Sequence, residues 1–163
     1  MSIMTPEQSV VASAVHAWQL NLERADKLFS GLSDQQLLTE IAPGKNRLVY
    51  LWGHLVAVHD AMLPLLDLGP RLHPELDAAF LTGADRAVAE LPSAAELRRQ
   101  WEEVNGKLLA GFAGFTAADW ARKHSVVSEE DFAANPLRNR FAILLSRTSH
   151  VAYHLGQAVL APK

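Results

Sequence analysis

Four long stretches of the chain carry apolar side chains three or four residues apart, which is the spacing of an amphipathic helix. These stretches predict helices over roughly residues 6–30, 47–68, 93–112 and 136–160. Long connections, 71–92 and 114–135, lie before and after the third of them. At 163 residues the chain is long enough for one hydrophobic core. We therefore expect a single all-α domain over 1–163, a four-helix bundle with long connections between helices.

Helix-capping motifs support three of the predicted starts. These motifs are Thr5-Pro6-Glu7-Gln8, Ser93-Ala94-Ala95-Glu96 and Asn135-Pro136. Pro64 is expected to kink or end the second helix, because proline lacks the backbone N–H that the helix needs there. In the connections, short helical turns are expected near Ser33–Leu38, Asp77–Leu81 and Thr116–Trp120, and an extended piece at Val126-Val127.

The last predicted helix carries His150 and His154, four residues apart and therefore on one face. Their Cβ atoms should lie roughly 5–6 Å apart, close enough for both imidazoles to bind a single metal ion. Ser146, Arg147 and Gln157 lie on the same face, whereas the opposite face is apolar. We expect this helix to be buried nearly all round. Buried polar side chains need partners, so the polar stripe predicts a functional cavity.

His54 is the best candidate for a third ligand. Counting about 100° per residue places it in the middle of the apolar face of the second helix, with Tyr50 one turn before it. His59 falls about 140° away and is predicted to lie at the surface or edge. Of the remaining histidines, His16 is read as a boundary residue and His124 as solvated, and His73 is not expected to be a ligand.

Three neutral imidazoles with an open fourth position are typical of a catalytic zinc, nickel or iron site rather than a closed structural one. The alternative is that the three histidines belong to the core and are satisfied by hydrogen bonds to backbone and to each other. Gln157 could orient His154. Arg147 could pair with an anionic substrate group, although a structural salt bridge is favoured, and Tyr50 could donate to a bound substrate.

Charge and cysteine usage narrow the partners and the location. The net charge of −3 argues against nucleic acid or an anionic membrane surface as partner. There are no cysteines, which removes disulfides, thiolate ligands and cysteine nucleophiles. No basic segment followed by an apolar run begins the chain, and no uninterrupted stretch of about 18 apolar residues occurs. We expect a cytoplasmic protein without a signal peptide or membrane span.

The segments Leu51-Trp52-Gly53-His54-Leu55 and His150-Val151-Ala152-Tyr153-His154-Leu155-Gly156-Gln157 resemble the DinB-like (YfiT-type) bundle proteins. The turn at Asn46 also fits, and the resemblance covers nearly the whole chain. It implies a four-helix bundle, often homodimeric, in which His54, His150 and His154 bind a divalent metal. Relatives in that broad superfamily include thiol-dependent S-transferases, a mycothiol-dependent isomerase and proteins described as metal-dependent hydrolases.

These observations favour a metal-dependent enzyme acting on a small molecule, with transfer to or from a low-molecular-weight thiol ahead of hydrolysis. A different class is a non-catalytic, stress-related binding or scaffold bundle whose metal site is vestigial or structural. A third is a dimeric scaffold without metal. The motif does not determine the substrate.

Overall fold

The structure is a computed structural model, and it describes residues 4–162. Within that range the chain forms eight α-helices and no β-strand. The helices are α1 Pro6–Phe29, α2 Asp34–Leu37, α3 Leu48–Leu65, α4 Asp77–Phe80, α5 Ala94–Ala113, α6 Ala117–Ala121, α7 Glu129–Ala134 and α8 Arg140–Ala158. One 3₁₀ turn, Pro74–Leu76, precedes α4. The predicted all-α fold class is confirmed.

The four long helices α1, α3, α5 and α8 build the core, and α3 lies at its centre. It packs against α5 on one side and α8 on the other, with α4 covering a third side. Buried positions therefore occur all around α3, from Leu51 and Trp52 to Val56 and Leu63. A helix that is apolar in every direction has no solvent face for its polar residues.

That central placement also accounts for the hydropathy of α3. By length and composition α3 could cross a membrane, yet 72% of it is buried inside the bundle. The core helix of a soluble protein meets the same criterion. The cytoplasmic location and the homodimer stay predictions.

The capping motifs of two long helices are confirmed. Thr5 and Gln8 form a capping box at the start of α1, and Ser93 and Glu96 form one at the start of α5. In each box the two residues satisfy each other's backbone N–H groups, so that fewer donors at the helix start are left unpaired. Helix α3 ends one residue after Pro64, so the proline lies in its last turn.

The predicted start of the last helix was wrong. Asn135 and Pro136 belong to a turn, in which the Asn135 side chain accepts the Leu137 N–H at 3.1 Å. Helix α8 begins at Arg140, and the side chain of Asn139 caps it by accepting the Ala142 N–H. The turn follows α7, a short helix capped by Ser128 that the sequence pattern did not predict because it buries no side chain.

The predicted burial of α8 on all sides was also wrong. Leu145 and Tyr153 are 46% and 64% exposed, respectively. The helix packs against α1, α3 and α6, and those contacts leave one side open. Periodicity identified an apolar face but could not tell how much of it a neighbouring helix would cover.

Candidate metal centre

The side chains of His54, His150 and His154 meet between α3 and α8. The Nε2 atom of His150 lies 3.2 Å from that of His54 and 3.1 Å from that of His154. The three candidate ligand atoms all lie within 4.8 Å of one another, and each side chain is partly buried. The fold thus brings His54 and His150, which are 96 positions apart in sequence, into direct contact.

Hydrogen bonds on the far side of two rings determine where their protons are. The His54 Nδ1 lies 2.7 Å from the Phe80 carbonyl oxygen, and the His154 Nδ1 lies 2.8 Å from the Gln157 Oε1. Both oxygens are acceptors, so each Nδ1 must carry the proton and donate it. In the neutral imidazoles, each Nε2 then presents a lone pair toward His150.

This arrangement suits a cation better than it suits hydrogen bonds alone. The His150 Nε2 has at most one proton and can donate it to His54 or to His154, but not to both. Its Nδ1 is buried without a hydrogen-bond partner among the described residues. Two nitrogens that share a tetrahedral metal at about 2.0–2.1 Å are separated by about 3.3 Å, close to the distances seen here. The residues therefore fit a divalent ion bound through three Nε2 atoms.

The electrostatics favour the neutral imidazoles that a metal requires. Burial, together with the nearby His154, His54 and Arg147, lowers the pKa of His150 to about 4. Burial also lowers the pKa of His154. Both rings are uncharged near pH 7, which is the ligating form of histidine.

The carbonyl that orients His54 reaches it because of a glycine. The ring of Phe80 is fully buried and lies directly on the backbone of Gly53, where a Cβ would overlap it. The absence of that Cβ lets α4 approach α3 closely, and the Phe80 carbonyl then accepts the His54 proton. Gly53 is thus a positioning residue next to the candidate ligand.

One end of the connection that carries Phe80 is attached to the start of α3. The Arg47 guanidinium binds Asp85 at 2.8 Å, and the Arg47 backbone N–H donates to the same carboxylate. The two side chains are only 16% and 4% exposed. Tyr50 donates its hydroxyl proton to the Gly83 carbonyl at 2.9 Å.

The other end of the connection is attached to the end of α3. The fully buried Asp60 carboxylate accepts the backbone N–H groups of Leu72 and His73 at 2.7 and 3.0 Å. Arg71 donates to Asp60 and also pairs with Asp77. The 71–92 connection, predicted to be partly ordered, is therefore attached to α3 on both sides of His54. The sequence analysis did not identify Asp60 or Asp85 as functional residues. Asp60 could have been found, because it is an acidic residue within an otherwise apolar helical segment and a buried carboxylate needs partners.

The structure separates the other candidate residues of the site. Gln157 contacts His154 as described, and its role in orienting a metal ligand stays a prediction. The Tyr50 ring stacks on His54 with centroids 6.1 Å apart, but its proton is given to Gly83 and is not free for a substrate in this conformation. Arg147 forms no salt bridge to residues 4–162, so the favoured structural ion pair was wrong.

The surface prediction for His59 was wrong, because it assumed that α3 has one buried face. His59 is fully buried between the rings of Trp18 and Trp101, with centroids 4.5 and 5.0 Å away. Its Nδ1 lies 2.8 Å from the Asn105 side-chain oxygen. It therefore belongs to the core on the side of α3 away from the three-histidine cluster.

His59 should make the protein sensitive to acid. Burial lowers its pKa to about 3; the hydrogen bond that His59 donates to Asn105 opposes this shift, and the nearby His150, Arg147 and His54 add to it. In the unfolded chain His59 binds a proton as pH falls through about 6.5, whereas in the folded chain it stays neutral. The free energy of unfolding therefore decreases as pH falls below about 6.5. His59 alone should lower the free energy of unfolding by about 2 kcal/mol between pH 7 and pH 5.

Urea unfolding of the wild type and of His59→Gln at both pH values checks this expectation. The variant should be less stable at pH 7 but lose less stability on acidification. An equal loss in both proteins would show that His59 is not the residue responsible.

The remaining histidines do not join the cluster. His16 is exposed on α1, in keeping with a boundary residue. His73, which was not expected to be a ligand, is only 7% exposed and lies between Glu75 and Glu103. His124 is partly buried, and its Nδ1 has no partner among the described residues.

These features define an all-α bundle with a three-histidine cluster suited to a divalent metal. A family model described as the DinB superfamily matches residues 17–158. The match covers most of the chain and includes all three histidines, so the protein belongs to the DinB superfamily, whose members bind metal. No curated protein matches the chain. The family assignment made from the histidine segments is confirmed.

Proposed function

We propose that this protein is a metal-dependent enzyme that acts on a small molecule. His54, His150 and His154 would hold a divalent zinc, nickel or iron ion. The observation that carries the proposal is the convergence of three Nε2 atoms, two of which present lone pairs to the same point. Such a cluster costs free energy unless a cation occupies it, because buried polar atoms without partners are destabilising.

The donor set supports our proposal of a reactive site rather than a purely structural one. Structural zinc sites use four protein ligands, whereas catalytic ones use three and keep a position open. Among residues 4–162, the candidate ligand group contains three histidines and no carboxylate. A bound divalent ion would activate water or bind the thiolate of a substrate. Because the imidazole ligands are uncharged, they do not reduce the positive charge of the ion, and the ion would attract an anionic thiolate. We therefore favour thiol transfer over hydrolysis.

Turnover by the metal-loaded protein tests this function. The protein, purified without a histidine tag, is loaded in turn with zinc, nickel and iron. It is then assayed for transfer of low-molecular-weight thiols to electrophilic acceptors and for ester and amide hydrolysis. We expect turnover with at least one metal and its loss in His150→Ala.

The non-catalytic alternative gives a different result in the same experiment. A protein that binds one equivalent of metal without turnover on either panel, and whose bound ion has no exchangeable water, would be a binding or scaffold bundle. Water exchange is measured by nuclear relaxation on the manganese- or cobalt-loaded protein.

A further inference from the structure

Arg147 lies on α8 in line with the two histidines of that helix. It precedes His150 by three residues and His154 by seven, so all three side chains project from one stripe of the helix. Three residues of α-helix rise about 4.5 Å, so Arg147 lies about one turn from His150. Its buried Nε shows that the side chain turns toward the interior of the bundle.

The guanidinium of Arg147 has no partner in the part of the chain that the structure describes. Its Nε is buried and makes no hydrogen bond. Burial lowers the pKa of the side chain, and no carboxylate offsets that effect. Arg147 is partly buried, and a partly desolvated cation without a counter-charge is stabilised by an anion, so the position suits one.

The other arginines that are partly or fully buried are all paired. Arg47 binds Asp85, Arg71 binds Asp60 and Asp77, and Arg140 binds Asp67. Arg98 donates to the Ser30 carbonyl. Among residues 4–162, Arg147 is therefore the one partly buried arginine whose guanidinium has no partner.

We propose that Arg147 binds an oxyanion of the small molecule, a carboxylate or a phosphate, while another part of that molecule reaches the histidine cluster. This inference rests on the proposed function and specifies its substrate class. The planar guanidinium fork matches two oxygens of a carboxylate or phosphate in a bidentate pair. Arg147 would thus select anionic substrates and hold them by the end away from the reacting atom.

Two thiols that differ only at their far end test the selection. The cobalt-loaded protein is titrated with 4-mercaptobutyrate and with 1-butanethiol, and thiolate binding is followed by its charge-transfer absorption. The measured quantity is the ratio of the affinity for 4-mercaptobutyrate to the affinity for 1-butanethiol. We expect this ratio to be about 10- to 100-fold higher in the wild type than in Arg147→Gln.

Matched variants make this comparison specific. Arg147→Lys should keep part of the preference, since it retains the charge but loses the fork. Arg99→Gln removes an exposed arginine of α5 and should keep all of it. If the preference for the mercapto acid is the same in Arg147→Gln as in the wild type, the inference is overturned.

A second measurement separates the failure of this inference from the failure of the proposed function. The Arg147 Nε–H signal of the metal-free protein is followed by nuclear magnetic resonance during titration with inorganic phosphate and, separately, with acetate, against sodium chloride at matched ionic strength. A saturable shift with either anion supports the inference and shows which oxyanion is preferred.

No saturable shift with phosphate or acetate would overturn the inference, even if the cobalt-loaded protein binds thiols. Absence of metal or of thiolate binding, together with a saturable anion shift, would instead count against the proposed function alone.

Discussion

Replacing His54 with alanine is expected to remove stoichiometric metal from the protein. The Nε2 of His54 is one of three converging nitrogens, and it comes from α3 while the other two come from α8. Without His54, only the two ligands on α8 remain. Loss of a residue that merely orients a ligand lowers metal affinity by up to about 100-fold, so loss of a ligand should lower it by more than that. Elemental analysis of untagged wild type and variant, after reconstitution and dialysis, measures the difference.

His16→Ala is the matched control for that experiment, because His16 is an exposed histidine on α1. It should retain about one equivalent of zinc, nickel or iron, as should the wild type. Metal absent from the wild type after reconstitution would mean that the three histidines are core residues. Metal retained by His54→Ala would mean that α3 supplies no ligand.

Gly53→Ala is expected to damage both stability and metal binding, although it adds a single methyl group. The new Cβ would overlap the buried Phe80 ring, so α4 must shift away from α3. Overpacking of this kind costs about 1–3 kcal/mol. The shift also withdraws the Phe80 carbonyl from His54, and loss of such an orienting hydrogen bond lowers metal affinity about 10- to 100-fold.

The same substitution at Gly106 on α5 provides the control. A Cβ at Gly106 meets no atom within 4 Å, so only the helix preference for alanine changes. Gly106→Ala should therefore raise the free energy of unfolding by up to about 1 kcal/mol and leave metal affinity unchanged. Urea unfolding and metal titration on both variants check the pair. Equal stability of Gly53→Ala and wild type would contradict the close approach of α4.

Local sequence signals predicted what depends on one helix at a time. Helical spacing and capping boxes located α1 and α5 well, and the four-residue spacing placed His150 and His154 on one face. The choice of His54 over His59 came from the same counting, and the two histidines do face in different directions. In these cases the physical cause lies within a few residues of its effect.

Features that depend on several helices were beyond that reasoning. The prediction for His59 was wrong because it assumed that α3 has a solvent side. Helices α4, α5 and α8 pack against α3, and Trp18 and Phe29 of α1 contact its side chains on a further side. Asp60 and Asp85 attach the 71–92 connection to α3. Contacts between such distant segments produce no periodic pattern in the sequence. The missing partner of Arg147 is likewise visible only when every neighbouring carboxylate has been located.

The sequence distance between His54 and His150 has a consequence for the lifetime of the folded chain. An ion held by both would act as a reversible cross-link that closes a loop of about a hundred residues, from the second long helix to the last. Free metal at 100 times its dissociation constant would then add about 2.7 kcal/mol to the stability of the fold. Metal supply in the cell would thus regulate how often this chain unfolds and is degraded.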